Sequence, residues 1–256
     1  MRPNSAKQLL LAGKPAIGIF ISATSPLVAE AVGRVGLSWV CVDMQHGEAN
    51  LGTLSPLLTA ISATPAMPYA RAPINDFKEI GRALDLGAYG VIVPLVNTAA
   101  EAEAAVRAAK YPPHGNRSYG PIRGALYGGG DYFAGADRET ALVVMIETQE
   151  GVRNAEAILA VDGVDGCYIG PSDLSIAYGA GPNLGSGEQL DPAAEEAIER
   201  VLAAARATGK TVGMHLFSAA AANRRLAQGI RMIGLGSELR FATRGITDAL
   251  AAIEPA

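Results

Sequence analysis

Short runs of β-branched and aliphatic residues alternate along the whole chain with Ala-, Leu- and Glu-rich segments of helical periodicity. That alternation predicts repeated βα units and a parallel sheet. Eight β runs can be counted. The first two, Ala16 to Ser22 and Trp39 to Asp43, precede predicted helices at Pro26 to Val35 and Asn50 to Ser62. Met67 to Ala72 and Val91 to Val96 come next, with helices at Asp76 to Leu86 and about Thr98 to Lys110. A polar, glycine-rich insertion, Tyr111 to Asp137, then separates them from Ala141 to Thr148 and its helix, Glu150 to Ala160. Gly166 to Ile169 is followed by a Gly/Pro-rich loop, Tyr178 to Leu190, and a helix at Pro192 to Thr208. Thr211 to Phe217, a helix at Ser218 to Gln228, Arg231 to Leu235 and a last helix at Ser237 to Ile253 complete the chain.

Eight parallel strands in 256 residues argue for one domain, residues 1–256, folded as a closed (β/α)8 barrel rather than an open doubly wound sheet, because closure leaves no edge to protect. No Gly-x-Gly-x-x-Gly follows the first strand, which argues against a dinucleotide site. With 49% hydrophobic and 18% charged residues and a formal charge of −4, the chain reads as an ordinary globular protein. No basic run points to nucleic acid. The apolar run in Met1 to Leu11 is too short for a secretory signal, and no stretch is long enough to span a membrane, so a cytoplasmic location is the default expectation. Cys41 and Cys167 fall inside β runs and read as reduced, buried thiols.

Barrel enzymes carry their chemistry at the C-terminal ends of the strands. That rule gathers Asp43, Gln45 and His46 after the second strand, Arg71 after the third, Glu147 after the fifth and Asp173 after the sixth. Glu147 and Asp173, on neighbouring strands, would repel unless a cation neutralised them or one stayed protonated, and a hard divalent ion such as Mg²⁺ or Mn²⁺ prefers such oxygen ligands. Taken singly, each has a plainer reading: Glu147 and Asp173 as helix caps, His46 as a turn residue before Gly47, Arg71 as a rim salt bridge. Co-location carries the argument. His114 in the long loop and His215 inside the seventh strand read as structural. Lys7, Lys14, Lys78, Lys110 and Lys210 all fall before strands or within helices, so none is placed for a Schiff base, and a metal is the available means of activating a carbonyl.

Val42-Asp43-Met44-Gln45-His46-Gly47, Tyr69-Ala70-Arg71, Leu84-Asp85-Leu86-Gly87-Ala88, Tyr111-Pro112-Pro113-His114-Gly115-Asn116-Arg117, Met145-Ile146-Glu147-Thr148 and Gly170-Pro171-Ser172-Asp173-Leu174 occur in an order that resembles the HpcH/HpaI class II pyruvate aldolases, from about Gly18 to Ser237. The resemblance implies an enzyme that cleaves 4-hydroxy-2-oxo acids to pyruvate, or hydroxypyruvate, and an aldehyde. It implies a divalent cofactor (Mg²⁺, Mn²⁺ or Co²⁺) on Glu147 and Asp173, His46 as base, and Arg71 stabilising the transition state. Asp85 or Asp43 would tune His46, and Gln45, Ser172 and Asp173 would contact the substrate. It further implies a homo-oligomer, trimer or hexamer, exchanging C-terminal helices. Two departures stand out: Gln45 where many members have Glu, and Met145 where many have a substrate-contacting Gln. Two rival expectations are a citrate-lyase-type acyl-CoA lyase and a non-catalytic barrel that binds 2-oxo acids.

Overall fold

The computed structural model describes residues 1–182 and 190–253. Eight parallel strands close into a barrel in sequence order: β1 (Ala16–Ile21), β2 (Trp39–Asp43), β3 (Met67–Arg71), β4 (Gly90–Val93), β5 (Ala141–Met145), β6 (Gly166–Ile169), β7 (Thr211–Leu216) and β8 (Met232–Ser237). The expected (β/α)8 barrel is therefore the observed fold. Alternation along each strand divides the core in two. One set, including Val40, Val42, Val91, Val93, Val144, Ile169 and Met214, faces the surrounding helices. The other, including Phe20, Trp39, Tyr69, Val143, Met145 and Tyr168, fills the bore.

Large rings in the bore face glycines on neighbouring strands, so volume is conserved within each layer of the barrel. Trp39 on β2 lies beside Gly18 on β1, its register partner, and its indole N–H donates to the Ala16 carbonyl at 3.1 Å. A Cβ on Gly18 would sit 2.1 Å from the Trp39 ring.

The helix Ser5–Leu11, which has no counterpart in the sequence-based expectation, lies at the N-terminal end of the bore. Asn4 caps it, and the Asn4 side-chain amide donates to the carbonyls of Tyr89 and Glu139, both 2.9 Å. Lys7 pairs with Asp165 at 2.8 Å and donates to the Thr140 carbonyl. With that end braced, the C-terminal mouth is left for chemistry. The expected loop Tyr111 to Asp137 contains two helices instead, Ile122–Gly128 and Tyr132–Glu139. They are held by packing rather than periodicity: the Tyr132 hydroxyl accepts from Arg117 at 3.0 Å, and Lys110 donates to the Asp137 carbonyl at 2.8 Å. The expected helix over 150–160 is two short ones, Gln149–Arg153 and Ala155–Leu159. Part of the expected loop Tyr178 to Leu190, residues 183–189, lies outside the described residues. Both cysteines are buried and unpaired to each other, as expected.

The final helix, Glu238–Ala251, meets the barrel through its first residues only; Glu238 is buried, while Leu239, Ile246, Leu250 and Ile253 are 48–65% exposed. Among the described residues no helix is long and apolar enough to cross a membrane.

Gly18→Ala is expected to cost about 2–3 kcal/mol through overpacking of the bore, read as a fall of roughly 5–10 °C in Tm, with partial recovery in Gly18→Ala/Trp39→Leu. An unchanged Tm for the single variant would show that the bore is not packed as described.

Candidate active site

Asp43 and Arg71 end β2 and β3 as register partners, which brings both side chains to the mouth. Arg71 grips Asp43 with two parallel bonds, Nε to Oδ1 at 2.9 Å and Nη2 to Oδ2 at 2.6 Å. The backbone N–H groups of Gln45 and His46 donate to the same carboxylate at 3.0 and 3.2 Å. Burial works to raise the Asp43 carboxyl, but the Arg71 bonds and these two amides outweigh it and hold the group below the usual carboxylate range. Burial likewise works against the charge on Arg71, and Asp43 more than restores it. A bidentate charged pair of this kind fixes the guanidinium plane. Among the described residues its third nitrogen, Nη1, has a single weak neighbour, the Met145 sulfur at 4.0 Å. The guanidinium also lies 5.0 Å over the Phe20 ring.

Glu147 and Asp173 form the second half of the site. The β5 extension carries Glu147 into the mouth, where it is 2% exposed. Asp173 lies in the first turn of the helix Pro171–Ala177 that follows β6, and it is exposed. Gly170 stands between them: a Cβ there would meet Glu147 Oε2 at 2.2 Å and Asp173 Oδ2 at 3.4 Å. Both acids thus converge on one point that only a glycine backbone leaves open. Burial first, and the Asp173 charge second, push the Glu147 carboxyl up to about 7. Arg71 opposes this through space, but its pairing is with Asp43.

The Leu95 N–H donates to Glu147 Oε1 at 3.0 Å, and Leu95 has φ +54°, a left-handed conformation that leucine rarely adopts. The surrounding loop over-determines it: Val96 N–H donates to the Met145 carbonyl, Asn97 N–H to Glu101, and the Asn154 side chain to the Asn97 carbonyl. Such strain at a site is sustained when its surroundings insist on it.

The remaining expected residues divide. His46 is exposed at the mouth, its backbone anchored by Asp43. The Gln45 side-chain carbonyl is buried with no hydrogen-bond partner among the described residues, and Ser172 is half-buried beside Asp173. Asp85 is not brought to the mouth. It ends the helix Phe77–Asp85 on the N-terminal side of β4 and pairs with Arg117 at 2.8 Å, so within one chain it does not adjoin His46. The buried lysines also lie at that far end: Lys110, lowered by burial to about 8, donates to the Thr140 carbonyl just before β5. A cavity of about 370 Å³ opens there, and the two lysines on its wall, Lys7 and Lys210, are engaged within the fold by Asp165 and the Val164 carbonyl.

Two residues escape the sequence reading. Leu95 is one. Glu238 is another, accepting from the backbone N–H groups of Ser22 and Ala23 at 2.7–2.9 Å and so fixing the loop after β1. His215, expected to be structural, faces the bore rather than the helices, with its ring 5.1 Å from Phe20.

Among the described residues no cluster of three or more His, Cys, Asp or Glu forms a closed metal cage. What the site offers is a pair of carboxylates, one deeply buried and destabilised as an anion, around a cradle that a side chain at position 170 would fill. That donor set fits a hard divalent ion with most of its coordination left to water and substrate.

The family model described as HpcH/HpaI aldolase/citrate lyase matches residues 16–244. The chain is 37% identical to a hydroxypyruvate/pyruvate aldolase of Rhizorhabdus wittichii, over 93% of this chain and 94% of that one. It is 37% identical to a 5-keto-4-deoxy-D-glucarate aldolase of Klebsiella pneumoniae subsp. pneumoniae, over 96% of each. The crystal structure of an HpcH/HpaI aldolase/citrate lyase family protein from Burkholderia cenocepacia J2315 superposes with a TM-score of 0.90 at 33% identity, covering 97% of this chain and 98% of that one.

In metal-stripped protein the raised Glu147 carboxyl means that the native state holds a proton the unfolded chain has released, so stability falls as pH rises from 4.5 to about 7 and levels off above. Glu147→Gln is therefore expected to gain Tm over the wild type progressively across that window, whereas added Mg²⁺ at pH 8 should raise Tm of the wild type alone. A pH-independent difference between the two proteins would contradict the burial of an uncompensated carboxylate.

Proposed function

The chain belongs to the HpcH/HpaI aldolase/citrate lyase family, and from that premise we propose that it cleaves 4-hydroxy-2-oxo acids reversibly to pyruvate or hydroxypyruvate and an aldehyde. The observation that carries this reading is the pair of acids meeting at Gly170 beside an arginine already locked in place. The relatives at 37% identity are named aldolases, and the acyl-CoA lyase and binding-only alternatives are not favoured.

Members of the family generally depend on a divalent metal. Glu147 and Asp173 would hold it here, with Mg²⁺, Mn²⁺ and Co²⁺ all suited to an oxygen donor set. When bound, such an ion supplies Lewis-acid polarisation of the 2-oxo group. The other work falls to the chain's own residues. His46 removes the proton of the 4-hydroxyl; as the bond between carbons 3 and 4 breaks, its electron pair passes into the enolate of the pyruvate half and carbon 4 leaves as the aldehyde. A proton returned to carbon 3 completes pyruvate. Arg71 donates to the enolate oxygen as its charge develops. Its plane is set by Asp43 before substrate arrives, so the donor needs no reorganisation in the transition state. Asp43 in the same stroke fixes the turn that presents His46.

Gly170 caps the helix Pro171–Ala177, and Ser172 and Asp173 in its first turn are the residues we assign to the substrate carboxylate. Gln45, with its unsatisfied carbonyl oxygen, is a further contact on the same side as His46. Met145, beside Arg71 Nη1, replaces a polar contact with a thioether and so makes this wall of the pocket less discriminating toward hydroxyls than a glutamine would.

We assign the exposed apolar face of Glu238–Ala251 to a second copy of the chain, in a homo-oligomer, trimer or hexamer, that exchanges this helix. Leu239, Ile246 and Leu250 recur at helical spacing on that face. Ile246→Lys together with Leu250→Lys is expected to shift sedimentation toward a smaller species, and unchanged sedimentation would contradict the exchange.

The direct assay is pyruvate release from a panel of 4-hydroxy-2-oxo acids. EDTA is expected to abolish release and Mg²⁺, Mn²⁺ or Co²⁺ to restore it, while Arg71→Ala should lower kcat by roughly 10²–10³, the scale of a lost oxyanion donor. Metal-independent turnover, or near-normal turnover in Arg71→Ala, would overturn the assignment.

A further inference from the structure

Along β7 the outward residues Val212, Met214 and Leu216 pack into the helix-facing core, which turns Gly213, His215 and Phe217 toward the bore. The contacts agree. A Cβ on Gly213 would meet the Tyr168 ring at 2.5 Å, and the His215 imidazole stands edge-on to Phe20, 5.1 Å between centroids at 67°, and to Phe217, 5.0 Å at 75°. Phe20 carries Arg71 on its ring at 5.0 Å. His215 and the Arg71 guanidinium therefore share one aromatic platform at the mouth of the barrel.

The imidazole is half-buried, and among the described residues none hydrogen-bonds either of its nitrogens. A histidine wanted only for packing leaves two polar atoms unused, where a phenylalanine or leucine would pack as well. Burial, then Arg71, with Arg240 adding to them, lower its pKa to about 4, so the ring is neutral at physiological pH. A neutral imidazole has one donor and one acceptor, the complement of an alcohol, which can both accept and donate. Phe20 and Phe217 supply apolar walls on either side, suited to carbon and not to a second charge.

Resting on the aldolase reading above, we propose that His215 is a specificity-determining residue, hydrogen-bonding a hydroxyl carried by the aldehyde half of the substrate and so favouring hydroxyaldehydes over simple alkyl aldehydes. The group enters neither the carbon–carbon cleavage nor the proton transfers. It acts on the part of the substrate that leaves.

The test is metal-loaded condensation of pyruvate with glycolaldehyde or with propanal, measured as kcat/KM for each aldehyde. His215→Phe is expected to lower the glycolaldehyde value about five- to tenfold, the scale of one lost hydrogen bond, and to leave propanal within about twofold. His215→Asn, which keeps a donor and an acceptor, should recover part of the loss. Where the phenyl ring prevents folding, His215→Leu provides the same comparison. Equal losses on both aldehydes, or none on either, would overturn the proposal. Metal-dependent proton exchange at the pyruvate methyl group separates the two levels of inference: the variants should exchange as the wild type does, and a wild type that exchanges nothing would overturn the aldolase reading and this proposal with it.

Discussion

Like charges held together at the mouth of the barrel are the constraint on which the rest of the site depends. Glu147 is almost wholly buried, Asp173 sits across Gly170 from it, and among the described residues neither acid is paired with a cation as Asp43 is with Arg71. Left to itself the arrangement costs stability, because burial and the Asp173 charge both push the Glu147 carboxyl up and disfavour its anion. A divalent ion held there, as proposed, would remove the cost and turn it into affinity. The backbone has been shaped to keep the acids there: position 170 has no Cβ, and Leu95 accepts a strained conformation to direct its N–H at Glu147.

Across the mouth, charge is balanced in advance. Asp43 neutralises Arg71 through both oxygens and, through Oδ1, also takes the amides of Gln45 and His46, so one carboxylate orients both the guanidinium and the turn bearing His46. Phe20 continues this order to the far wall, with Arg71 on its ring and His215 at its edge. The site thus has an anionic side that wants a cation and a neutral side whose donors are already set. That division suits a reaction in which negative charge appears on a carbonyl oxygen and must be received without delay.

Much of this is legible in the amino-acid sequence because a parallel barrel makes position along a strand equivalent to height in the molecule. Once Trp39–Asp43, Met67–Arg71 and the run ending at Glu147 are recognised as strands, their ends must share a rim, and Asp43, Arg71, Glu147 and Asp173 meet there whatever the loops do. Side-chain facing is harder to read. His215 reads as structural because a continuous apolar run such as Thr211 to Phe217 does not announce which alternate residues enter the bore; only its neighbours Phe20 and Tyr168 decide that. Leu95 carries no signal at all, since nothing about a leucine predicts φ +54°. The helices Ile122–Gly128 and Tyr132–Glu139 escape a reading by periodicity because they are short, rich in glycine and tyrosine, and held by contacts to Arg117 and Lys110 outside them. Asp85 is recognisable as part of a motif, but its place beside Arg117 at the opposite end follows from the direction of its helix.

The most direct measurement of the central claim is the position of an ion in crystals soaked with Mn²⁺ and oxalate, a stable mimic of the pyruvate enolate. The account predicts an anomalous manganese peak bonded by both Glu147 and Asp173, with oxalate bridging toward Arg71. Manganese bound elsewhere, or the two acids turned apart with no ion between them, would contradict it.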